Sequence, residues 1–124
     1  MSAHVLKPLF PATAITSSTT TTGKAFNLHA HAEGLVLESV VSARTDGTYT
    51  VTLQHSLDGV NWTNVLMSDG STAFATAAQS TNSRVYKYLL KDVPFCNYVR
   101  VSILSATVTT GATVAVNLMH GVVR

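Results

Sequence analysis

Residues 48–66 read T-Y-T-V-T-L-Q-H-S-L-D-G-V-N-W-T-N-V-L, and their pattern decides the fold. Tyr49, Val51, Leu53 and His55 alternate with Thr50, Thr52, Gln54 and Ser56. A period of two belongs to a strand with one face buried and one solvated. Asp58-Gly59 then marks a turn: Gly59 supplies a positive φ, and Ser56 and Asp58 can bond nearby backbone amides. Asn61 and Trp62 lead into a second β-prone run ending at Val65 and Leu66. The stretch predicts a β-hairpin, with the single tryptophan folding back over the end of a sheet.

The same texture continues on either side. Strands are predicted near residues 25–31, 35–43, 62–67, 72–77, 84–90, 98–106 and 113–122, separated by turns at Glu33-Gly34, Asp46-Gly47, Asp69-Gly70, 80–83, 92–94 and Thr110-Gly111. The Asp-Gly dipeptides favour tight connections between antiparallel neighbours over helical crossovers. No stretch carries a convincing apolar stripe at helical spacing. The expected fold is all-β: a single antiparallel β-sandwich, jelly-roll-like, with Val99, Val101, Ile103, Val114, Val116 and Leu118 at the centre of its core.

Residues 1–24 differ in texture. Pro8 and Pro11 interrupt regular structure, and T-S-S-T-T-T-T at 16–22 has neither alternation nor charge. They are expected to form an extended N-terminal arm, with the sandwich domain at 25–124; a loose terminus followed by an ordinary edge strand is the alternative reading. Val5, Leu6, Leu9, Phe10 and Ile15 would be left in water unless the arm lay along a neighbouring subunit.

A chain of 124 residues is sized for one domain. Charged residues make up 11%, against about 25% in typical soluble domains, so the surface has few charges to keep it apart from other surfaces. The net charge of +2 comes from scattered basic residues, which argues against direct nucleic-acid binding. Residues 84–91, R-V-Y-K-Y-L-L-K, read as a strand with a charged outer face. The lone Cys96 offers no intrachain disulfide and reads as a small buried hydrophobe. No apolar segment is long enough for a spanning helix, no signal-peptide pattern opens the chain, and no membrane partner is expected. Synthesis in the cytoplasm follows as an expectation.

For chemistry, His29, His31 and Glu33 would share one strand face about 7 Å apart at each step, a candidate metal site. G-K-A-F-N-L-H-A-H at 23–31 resembles the first half of the cupin motif, which implies a jelly-roll metal enzyme; the cupin glutamate spacing and second motif have no counterpart at Glu33 or around His120. Interface or solvent-facing histidines are the simpler reading, with no cofactor and no catalytic residues. His55 and His120 read as rim histidines near strand ends.

S-L-D-G-V-N-W at 56–62 resembles the S-x-D-G-x-N-W hairpin of discoidin-like carbohydrate- and lipid-binding sandwiches, and a similar hairpin in β-sandwich proteins of tailed-phage virions. With its Thr/Ser/Ala-rich, charge-poor composition, its arm and its R-V-S-I-L-S strand at 100–105, the chain resembles the head decoration, or cement, proteins of tailed bacteriophages. That resemblance implies a non-enzymatic virion subunit on the capsid surface, often a homotrimer at local three-fold positions, clamping the major capsid protein. The expected contact residues are Val5, Leu6, Leu9 and Phe10 of the arm and Asp58, Asn61 and Trp62 of the hairpin tip. A carbohydrate-binding or tail-associated receptor-binding module, with Trp62 as stacking platform, is the alternative.

Overall fold

The computed structural model describes residues 2–27, 32–67, 69–89 and 98–123. Within them the chain forms nine strands: β1 (Ser2–Ile15), β2 (Thr20–Thr22), β3 (Phe26–Asn27), β4 (Ala32–Ser42), β5 (Thr48–Ser56), β6 (Thr63–Asn64), β7 (Ser83–Leu89), β8 (Tyr98–Ala106) and β9 (Ala112–Val123). One sheet has the order β1-β9-β4-β7; the other has β2-β8-β5-β6, with β3 also paired to β8. Every pairing is antiparallel, and no helix occurs among the described residues. The chain changes sheet at most of its connections, the winding that makes a jelly-roll sandwich.

Alternation sets which side chains meet between the sheets. Tyr49, Val51 and Leu53 of β5 and Val99, Val101 and Ile103 of β8 are fully buried, and they face Leu37, Val114, Val116 and Leu118 from the other sheet. Phe74 and Val65 close the core beside β5. Each such side chain contributes about 1.5–3 kcal/mol on burial. One polar node sits among them. Gln79 exchanges backbone hydrogen bonds with Tyr49 of β5, while its side chain accepts from Ser39 Oγ of β4 at 2.6 Å and donates to the Ser39 carbonyl at 3.2 Å. The two sheets are thereby joined through a satisfied buried amide.

The N-terminal segment departs from expectation. Residues 2–15 are no free arm: they form β1, an outer strand paired with β9 from Ser2↔Val123 to Ile15↔Ala112. Leu9, Phe10 and Ile15 are core residues. The prolines do not prevent this, because an outer strand can leave a missing N–H on its solvent side, and register shifts follow at Pro8/Phe10 and Phe10/Thr13. The hydroxyl-rich run is held too: Ser105 Oγ donates to the Ser17 carbonyl, and Ser18 Oγ accepts from the Val108 amide.

Two predicted strands are shorter or less regular than expected, while of the one at 25–31 residues 28–31 lie outside the described residues. Residues 62–67 yield β6 plus a bridge at Leu66↔Ala73. Residues 72–77 follow β5 through separate bonds such as Leu53 N to the Phe74 carbonyl and Thr76 N to the Val51 carbonyl. The Asp69 turn returns the chain along β5 before a regular ladder can extend.

Candidate functional site

The two ends of the sandwich are built differently. At the end where β4 passes to β5, Asp46 accepts hydrogen bonds from the amides of Thr109, Thr110 and Gly111, which hold its carboxyl below the ordinary carboxylate range, Thr110 most strongly. Tyr49 Oη donates to the Asp46 carbonyl at 2.8 Å, and Arg44 Nε to the Gly47 carbonyl at 2.8 Å. Burial, and next the Asp46 charge, raise the Tyr49 phenol. This end is cross-linked and polar.

The opposite end carries the hairpin tip. β3 pairs with the start of β8, which pairs with the end of β5, so the tip at 57–62 lies at the end where the chain crosses from β3 to β4. Ser56 Oγ accepts from the amides of Asp58 and Gly59 and donates to Asp58 Oδ1. Asp58 Oδ1 in turn accepts from the amides of Val60 and Asn61, each at 2.8 Å, and Oδ2 from Asn61 Nδ2 at 2.7 Å. The Asn61 and Val60 amides, then the Ser56 hydroxyl, hold the Asp58 carboxyl far below its usual range. A tip so bonded is rigid, and it presents Leu57 and Val60 to solvent, 85% and 76% exposed. Leaving two aliphatic side chains in water on a rigid turn has no folding benefit.

Trp62 does fold back onto the sheet. The Arg100 guanidinium lies 4.5 Å from its ring centroid, while Arg100 Nε donates to Gln54 Oε1 at 2.9 Å. One face of the indole is therefore covered by a cation–π contact. An open cleft of about 260 Å³ adjoins the tip, lined by His55, Ser56, Leu57, Asp58, Asn61 and Thr63. Burial lowers the pKa of His55, so it is readily neutral there.

On the other sheet, the register aligns Leu6, Met119, Val36 and Tyr88 in one row across β1, β9, β4 and β7. Leu6, Met119 and Tyr88 are exposed, as is Tyr86 in the next row. That outer face is less charged than the sequence implied: Arg84 sits there 3.7 Å from Glu38, whereas Lys87 stands opposite the buried Leu37. Strand alternation separates the charges of residues 84–87 onto two faces.

Of the predicted contact residues, Leu6 is thus on the surface at the hairpin-tip end. Leu9 and Phe10 are withdrawn into the core, because β1 is part of the sheet. Asp58 and Asn61 are spent on each other in shaping the tip, and Trp62 packs under Arg100. Val5 stands opposite His120 in the ladder, its side chain outside the described residues. His29, His31 and Cys96 lie outside the described residues, as does the side chain of Glu33 on β4. Among the described residues no three His, Cys, Asp or Glu side chains gather in a metal-binding group. Sequence reasoning missed Leu57, Val60, Tyr86 and Tyr88; the first two carried a signal, as large aliphatics flanking Asp58-Gly59 at the turn itself.

No protein-family model and no curated protein matches this chain. Solved structures do. The SPBc2 prophage-derived protein YomS is similar with a TM-score of 0.56 at 11% identity, over 98% of this chain and 95% of that one. The PBSX exported protein XepA is similar with a TM-score of 0.63 at 11% identity, over 97% of this chain and 38% of that one. The infectious bursal disease virus VP2 subviral particle is similar with a TM-score of 0.58 at 11% identity, over 98% of this chain and 32% of that one. This chain accordingly spans nearly the whole of YomS but only a part of the other two. The chain folds as the β-sandwich that these prophage-derived, exported and virus-particle proteins also build.

Proposed function

We propose that this chain is a non-enzymatic structural protein of a phage virion, and that it serves as a decoration, or cement, subunit on the outer surface of the capsid. The observation that carries the reading is the rigid hairpin tip displaying Leu57 and Val60 at one end of a charge-poor sandwich. The fold's likeness to a prophage-derived protein and a viral capsid particle supports the setting. In this role the major capsid protein offers an apolar recess to the tip. Binding the assembled shell and not its free subunits stabilises the shell by mass action. Icosahedral repetition multiplies a modest contact over many copies.

The test uses particles of the source phage stripped of this chain. Added back, the wild-type protein co-sediments with them and raises the temperature at which they release DNA. Leu57→Asp with Val60→Asp lowers occupancy about tenfold or more, since two side chains lose their burial. Wild-type occupancy by that double variant would show that the tip is not the contact.

The cleft beside the tip favours one second reading, a glycan-binding module, because His55, Asn61 and Thr63 bring polar groups together there and Trp62 lies between the last two in sequence. Binding on a glycan array that Trp62→Ala removes, with the fold intact, would select it over the capsid role.

A further inference from the structure

The sandwich has four outer strand edges, and they are not equally protected. β1 carries Pro8 and Pro11, which have no N–H to offer, and two register shifts. In the other sheet β2 and β6 are three and two residues long. Short strands, prolines and bulges are the means by which natural sheets blunt their edges. β7 has none of these. Its seven residues pair with β4 without a break from Leu35↔Leu89 to Val41↔Ser83. Among the described residues β4 is its one strand neighbour, so its other side presents backbone donors and acceptors in an extended row.

We infer that a second copy of this chain pairs with β7 across a two-fold axis at Tyr86, antiparallel, to give one continuous sheet of eight strands. Tyr86 is the midpoint of Ser83–Leu89, so this register pairs all seven residues. It sets Tyr86 against the second copy's Tyr86 and Arg84 against the second copy's Tyr88, all on the outer face, where both tyrosines are about half exposed or more. Guanidinium and phenol ring are complementary, and the two tyrosines are suited to offset stacking. On the inner side Lys87 lies opposite Val85 of the second copy and not opposite its own counterpart, so like charges are not directly opposed. A register centred on Lys87 would oppose two ammonium groups, and one centred on Val85 would leave Tyr88 beyond the paired strand.

The seam combines a strand ladder with at most on the order of 400 Å² of tyrosine surface from the two copies. That lies below the roughly 1,200 Å² at which standard specific interfaces begin, so the contact is a weak one. The inference is independent of the capsid reading: it uses β7, whereas capsid binding uses the hairpin tip. A two-fold seam also gives a dimer, where the decoration-protein resemblance implies a trimer.

Native mass spectrometry and sedimentation of the whole chain at about 100 µM, enough to populate a micromolar contact, provide the first arm of the test. The expected mass is twice 13.1 kDa. A monomer or a trimer overturns the proposal, with the particle-binding test unaffected. The second arm is disulfide trapping in a Cys96→Ser background. Opposed residues in an antiparallel pair have Cα atoms about 4.5–5.5 Å apart, within the reach of a disulfide. Tyr86→Cys is expected to form a covalent dimer on oxidation; Leu6→Cys, on the far side of the sheet, is not. A dimer that links through residue 6 and not through residue 86 uses another surface and also overturns the proposal.

Discussion

Gly111 shows how one backbone position holds the end opposite the hairpin tip. Its φ is +109°, and an added Cβ would lie 1.9 Å from the Ile15 carbonyl oxygen, at the place where β1 hands over to the next segment. Gly111→Ala is therefore expected to destabilise the protein by about 3 kcal/mol or more, through both strain and collision. Gly70 also has a positive φ, +73°, but meets nothing within 4 Å, so Gly70→Ala should cost about 1 kcal/mol. Denaturant midpoints of the two variants check the contrast. Titration is also legible at this scale. The Thr72 hydroxyl and the amides of Thr72 and Ser71 lower the Asp69 carboxyl to about 2, and Asp46 and Asp58 are lowered by amide bonds of the same kind. Depressed carboxyl values mean that the unfolded chain takes up protons first. Their stabilisation is present above about pH 4 and is lost as pH falls toward 2. His55, lowered by burial, adds an earlier decline that begins as pH drops through its unfolded value of 6.5. Melting temperatures from pH 8 to pH 2 should fall in these two stages; His55→Gln should remove the first, and Asp69→Asn should shallow the second.

Among the elements, β1 separates local texture from tertiary role. Its prolines and polar flanks read as a detachable arm, yet Leu9, Phe10 and Ile15 reach the core and its ladder covers β9. Removing residues 1–22 would forfeit three core side chains at about 1.5–3 kcal/mol each, comparable with the whole net stability of a domain. The truncated chain is expected to lose its β-sheet circular dichroism and its cooperative melt. A folded truncation product would restore the arm. β5 and β8 behave oppositely: the apolar residues that their alternation assigns to the core are the buried ones, and β5 falls out of step only at its end, where Ser56 is buried and His55 is half-buried.

At the scale of the whole molecule, polar cross-links between distant turns gather at the Asp46 end, while Leu57 and Val60, the most exposed aliphatics among the described residues, stand at the other. The Asp46 network ties turns far apart in sequence, whereas the tip is held by bonds within six residues, 56–61, and so can be rigid without packing on anything. A molecule organised this way has one end suited to stability and one suited to contact. The double substitution at Leu57 and Val60 and the trapping at Tyr86 probe separate surfaces, so a chain that binds particles as a monomer and one that dimerises without binding are distinguishable.

The sequence by itself determined the all-β class, the hairpin at 48–66, the Ser56/Asp58 turn and the six residues, four valines, one isoleucine and one leucine, assigned to the core of β8 and β9. All of these depend on period-two alternation and on turn chemistry, which act over a few residues. Only the tertiary structure decided that residues 2–15 are a strand, that Gln79 bridges the sheets, that Arg100 covers Trp62, and that β7 is an outer strand of the sheet among the described residues. Each of those is a relation between segments distant in sequence. Local pattern limits what a segment can become, while its neighbours in space select among the outcomes that the pattern allows.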